Sequence, residues 1–141
     1  MNRILHTLLT FIMAIALASC ADSGPTAPPA SSPLTLALGE TVRLRNTDLF
    51  VRFDRVVSES RCPMGMLCIV AGEAIVEMTA SERGRTETFL LHLAGFEGQN
   101  DSSAPPVSAL GHRFRLFSLD PYPGTKPDLL IVRRVATVIV D

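Results

Sequence analysis

Beyond residue 33 no segment sustains an apolar stripe at i, i+3 and i+4 for ten residues; hydropathy alternates every second residue instead. Period two describes a strand with one dry face and one wet face, so the chain reads as antiparallel β structure rather than a helical domain. Residues 34–38 and 41–45 alternate in this way and are separated by Gly39-Glu40, which suits a tight turn. Leu49, Val51 and Phe53 share one face of the next run, with Arg52 and Asp54 on the other. Residues 68–79 form a further run in which Gly72 marks a bulge. Ser81 to Arg85 reads as a hairpin connection into 86–93, where Glu87 interrupts a face carrying Phe89, Leu91 and Leu93. Residues 112–119 place Phe114 and Leu116 against Arg113 and Arg115, and the β-branched run 131–140 closes the chain. About seven short strands within 34–141 predict an all-β fold, a small antiparallel β-sandwich or a partly open barrel.

Two connections depart from this rhythm. Residues 94–111 are long for a compact domain and rich in Gly, Ser, Asn and Pro, which predicts an irregular loop. Asp120-Pro-Tyr-Pro-Gly124 predicts a rigid turn, with the Tyr122 ring over the end of the sandwich and its hydroxyl in water.

The first 33 residues follow different rules. Arg3 precedes the apolar stretch 8–18, the order of a secretory signal. Counted from Ile4 the run is roughly 15 residues, short of the ~20 that cross a bilayer core as a helix. Leu17-Ala18-Ser19-Cys20 resembles the bacterial lipobox, in which cleavage precedes a cysteine that then carries acyl chains such as palmitate. The resemblance implies a signal peptide over 1–19, lipidation at Cys20, and a membrane partner reached through that anchor. It also implies an exported protein held in the cell envelope, on the outer membrane or periplasmic face in a Gram-negative host. Residues 20–33 then form a tether: four prolines and four hydroxyl residues with nothing to bury, reaching up to roughly 40 Å when extended.

Charge excludes some partners. Thirteen Lys+Arg against fourteen Asp+Glu give −1, and losing Arg3 with the signal leaves 12 against 14, or −2. No basic surplus points to nucleic acid. Catalysis has no ordered signature either: there is no Gly-x-Ser-x-Gly elbow, no His-Glu-x-x-His helix, no phosphate loop and no Cys beside a His. Glu73 and Glu77 on one strand face would stand ~13 Å apart, too far for joint acid–base work. Glu82 and Glu87 flank a turn and read as solvated. The chain is therefore expected not to be an enzyme and to carry no cofactor.

Cysteines give the sharpest chemistry. With Cys20 assigned to lipid, Cys62 and Cys68 remain as an even pair in an oxidising compartment. A five-residue hairpin loop between two strands would hold them near opposite positions at its mouth, within disulfide reach. A second reading takes Cys62, Met64, Met66 and Cys68 as four soft sulfur ligands for Cu(I), which requires reduced thiols. With the bridge closed, the methionines tuck beneath the loop as filler, or Met64, Met66 and Leu67 point outward as an apolar tip able to dock a partner.

Ser60-Arg-Cys-Pro-Met-Gly-Met-Leu-Cys68, followed by Ala71-Gly72 and by Pro121-Tyr122-Pro123, resembles exported bacterial lipoproteins of unknown function. Their shared pattern is Ser-Arg-Cys-Pro-x-Gly-x-x-Cys, then Ala-Gly, then a Pro-Tyr-Pro turn before the last strand. Val70 stands where such proteins commonly carry Trp. The match covers about a fifth of the chain and implies export, a β-rich fold and a cysteine loop, with no activity attached. The expectation is a lipid-anchored, non-catalytic binding or structural module contacting another envelope protein. Cu(I) binding and a protease-inhibitor-like loop are the alternatives.

Overall fold

The computed structural model describes residues 32–95, 104–125 and 133–141, and every regular element among them is a strand. Eight strands follow in order: β1 (Ser32–Ala37), β2 (Thr41–Arg43), β3 (Phe50–Glu59), β4 (Glu73–Glu82), β5 (Arg85–Ala94), β6 (Val107–Ala109), β7 (His112–Asp120) and β8 (Val135–Val140). They build two antiparallel four-stranded sheets, ordered β1-β8-β7-β6 and β2-β3-β4-β5, packed as a β-sandwich rather than a closed barrel.

Alternation sets the dry faces. β4 buries Ala74, Val76, Met78 and Ala80, and β8 buries Ala136, Val138 and Val140. In β7 the inward residues are Phe114, Leu116 and then Leu119, because a register shift between Leu116 and Ser118 inverts the phase. β3 shifts twice against β4, between Phe53 and Arg55 and between Val56 and Ser58. Phe89 from one sheet meets Phe114 from the other, ring centroids 4.7 Å apart, within the core. Each fully buried side chain of this size contributes about 1.5–3 kcal/mol.

Several expectations are corrected. The turn at Gly39-Glu40 exists, with Glu40 N–H donating to Ala37 O at 2.8 Å, but it carries the chain from one sheet to the other. β1 pairs with β8, the last strand, and β2 pairs with β3. Residues 104–111 of the expected long loop contain β6, whose outer neighbour in sequence, Leu110, donates its N–H to Glu87 at 3.0 Å. That contact explains the carboxylate interrupting the β5 face, and Glu82 is half-buried 3.5 Å from His112. Glu82 is thus engaged rather than simply solvated, while Glu87 stays exposed as it accepts that bond. Residues 96–103 of that loop, and Ile131 and Val132 of the expected final run, lie outside the described residues. So do the 1–19 signal, Cys20 and all of the tether except Ser32 and Pro33.

The register fixes two poles. Ser32 opposes Val140, and the β2–β3, β4–β5 and β6–β7 connections sit at that same end. The chain thus joins the domain at one pole, and the β3–β4 connection with its two cysteines occupies the other.

Candidate binding loop

The β3–β4 connection runs over residues 60–72, thirteen residues rather than the expected five-residue hairpin. Pairing continues past the strand ends into its base. Ser60 N–H donates to Glu73 O at 2.8 Å, and Cys62 N–H donates to Ala71 O at 3.0 Å. Ser60 Oγ accepts from Glu73 N–H and donates to Glu73 O, each at 3.0 Å. Gly72 turns the chain here at φ 68°; a Cβ at this position would fall 1.8 Å from Ser60 O. Only glycine fits, so the residue read as a bulge inside a strand is instead the corner at which β4 begins.

Cys62 and Cys68 are joined by a disulfide with Cα atoms 5.9 Å apart. The bridge sits inside the loop, well above the strand ends. Cys62 is buried and Cys68 exposed. Met64 N–H donates to Pro123 O at 2.9 Å, tying the loop to the Pro-Tyr-Pro turn of the other sheet.

Beneath the bridge lies a feature the hydropathy pattern does not announce. Among the described residues Arg61 is the one buried charged residue, its side chain only 3% exposed. Its Nε and Nη2 donate to the two carboxylate oxygens of Glu59, both at 2.7 Å, and Nη2 also donates to Leu119 O at 3.0 Å. The guanidinium carbon stands 4.8 Å from the Tyr122 ring centroid, a cation–π stack. Arg134 Nη1 reaches the same Glu59 at 3.1 Å and donates to Pro121 O at 3.2 Å. Tyr122 places its hydroxyl on Gly95 O at 3.3 Å rather than in water, and a Cβ on Gly95 would strike the Arg61 stem at 2.4 Å. Two motifs sixty residues apart, Ser-Arg-Cys-Pro and Pro-Tyr-Pro, are thus halves of one clamp. The readable signal was Glu59-x-Arg61: alternate residues of an extended chain share a face.

Above this clamp the loop presents apolar side chains to solvent. Leu67 and Ile69 are fully exposed, Val70 is 74% and Met66 65% exposed, and Met64 is also exposed. The methionines do not tuck beneath the loop. Ile69 and Val70, expected within a strand, extend the tip beyond Met64, Met66 and Leu67. Beside it a shallow cavity of about 450 Å³ is lined by Val70, Ala71, Ala94 and Ala104 together with Glu73 and His92, whose Oε2 and Nδ1 are 2.9 Å apart. Ser60 is also on that wall, but its hydroxyl is bonded to the Glu73 backbone and makes no hydrogen bond to His92.

Of the four sulfurs in the loop, the disulfide takes two and leaves the thioethers of Met64 and Met66. Among the described residues no group of three or more His, Cys, Asp or Glu stands ready to hold a metal ion. No protein-family model, curated protein or solved structure matches the chain.

Proposed function

We propose that this chain is a lipid-anchored envelope protein whose sandwich is a non-catalytic binding module, with the disulfide-closed loop as its contact surface for another envelope protein. The observation that carries the reading is the display of Met66, Leu67, Ile69 and Val70 to solvent on a backbone held by a disulfide and the Arg61 clamp. Apolar side chains in water are unfavourable by roughly 25 cal/mol per Å² of area that a partner would cover. A pre-ordered loop loses little entropy on binding, so most of that gain is retained. The anchor at Cys20 follows from the lipobox resemblance, and the tether would supply reach.

Copper binding would require the bridge to be reduced first, since a disulfide offers no thiolate.

Three measurements test the proposal. The intact mass of the exported protein should show an acylated Cys20 and a gain of two hydrogens on reduction; an unmodified Cys20 refutes the anchor. A photocrosslinking residue at Leu67 should give a discrete adduct in the envelope, absent when the crosslinker replaces Arg83 at the opposite pole. The Met64, Met66, Leu67→Ser triple variant should lose partner capture, read by copurification of that adduct's partner, with its thermal midpoint nearly unchanged. A large fall in midpoint would make the loop part of the core instead.

A further inference from the structure

Where β1 and β2 part into different sheets, the sandwich is open along one side near the pole at which the chain joins it. A cavity of about 640 Å³ lies there, inside the range of roughly 300–1,000 Å³ typical of small-molecule sites. Its apolar wall is aliphatic: Leu34 from β1, Val42 from β2, Leu44 just after it, and Val140 from β8. Leu34, Val42 and Leu44 pack against the core yet remain only partly buried. No Phe or Tyr lines the cavity and its one aromatic ring is the His112 imidazole, so the apolar part of the wall suits methylenes.

Most of the charged lining is already neutralised. Arg43 donates to Asp48 at 3.0 Å and to Thr47 O at 2.7 Å. Asp141 lies 3.8 Å from Arg113, and His112 lies 3.5 Å from Glu82. Arg45 is different: among the described residues it makes no hydrogen bond or ion pair, so one guanidinium charge is left over beside the aliphatic wall. An apolar trough next to a single free cation is complementary to a single-chain monoanion, and the planar guanidinium fork matches a carboxylate. We propose that this cavity binds a long-chain fatty acid, its acyl chain along Leu34, Val42, Leu44 and Val140 and its carboxylate on Arg45. The site lies at the opposite pole from the disulfide loop and stands independently of the function proposed for that loop.

The test is a calorimetric titration of the full chain carrying Cys20→Ser, which receives no acyl group at that residue. Affinity should rise from hexanoate to dodecanoate, and dodecanoate should bind about tenfold tighter than dodecanol, the margin of one charge-assisted hydrogen bond. Arg45→Glu should abolish that margin while leaving dodecanol binding unchanged, and Leu34→Trp should weaken both ligands by filling the trough. Met66→Ser with Leu67→Ser should change neither. The proposal is overturned if hexanoate binds as well as dodecanoate, if Arg45→Glu has no effect, if no chain length binds, or if the loop variant is the one that loses binding.

Discussion

Replacing Arg61 by Met should be among the most damaging single changes in the domain. The substitution keeps the volume of the stem and deletes the fork. It removes two 2.7 Å bonds to Glu59, the 3.0 Å bond to Leu119 O and the stack on Tyr122. Deleting one partner of a buried ion pair typically costs about 3–5 kcal/mol, because the other charge is stranded. Arg134, 3.1 Å from the same carboxylate, keeps Glu59 partly compensated and places the cost at the lower end, about 3 kcal/mol. At ~4–8 °C per kcal/mol for a domain this small, the thermal midpoint should fall by roughly 12–24 °C. Urea unfolding followed by circular dichroism gives the free energy directly. Arg61→Lys retains the charge, but one ammonium group does not reproduce the planar fork, so it should recover only part of the loss. Glu59→Gln combined with Arg61→Met should lose less than the two single changes summed, since no unpaired charge remains. A loss under ~0.5 kcal/mol for Arg61→Met, within the range of an ordinary surface substitution, would refute the clamp as a source of stability.

Gly72→Ala combines a left-handed backbone with a Cβ driven into Ser60 O and should cost about 3 kcal/mol or more, whereas Gly111→Ala, at φ 87° with open space around it, should cost ~1 kcal/mol in the same denaturation assay. Cys62→Ser with Cys68→Ser should lose about 2–2.5 kcal/mol, the chain-entropy value for so short a loop, and reduction of the wild-type bridge should lose the same amount. On the outer face of the β2-β3-β4-β5 sheet, the Arg55 hydrogen bonds to Glu77 hold that carboxyl below the usual carboxylate range. A carboxyl lowered in the folded state contributes stability that is fully present above its unfolded value and is lost as pH falls through the folded value. The thermal midpoints of wild type and Glu77→Gln should therefore differ at neutral pH and converge in acid; a gap that persists in acid would assign the effect to packing.

The faces of the strands were legible because alternation is a local property. Val51 with Phe53, Phe89 with Leu91 and Leu93, and Phe114 with Leu116 all point inward as the spacing implies. The Cys62–Cys68 bridge was legible too, since a short separation brings the sulfurs together whatever surrounds them. Pairing partners were not. Nothing in Gly39-Glu40 distinguishes a turn within one sheet from a turn between two, and the partner of β1 lies about a hundred residues away in β8. β6 is three residues long and set among Gly, Ser and Pro, too short to display a period. At Leu116-Phe117 two apolar residues stand side by side, and only the register shift shows that the inward face passes from Leu116 to Leu119 and leaves Phe117 outside. For the loop, its cross-link was visible and its support was not. An arginine reads as a surface residue until Leu119 O and Tyr122, each about sixty positions away, arrive to desolvate and satisfy it.

The pairing of β1 with β8 also determines how the domain responds to mechanical load. The chain enters at Ser32 and runs toward the loop pole, so a pull on its N-terminal side acts along the strand axis. Hydrogen bonds between antiparallel strands lie perpendicular to that axis. All six register pairs of β1 with β8 are therefore loaded together in shear instead of being peeled one at a time. With the loop held at the far pole, tension passes lengthwise through the sandwich, the direction in which this strand order resists it best.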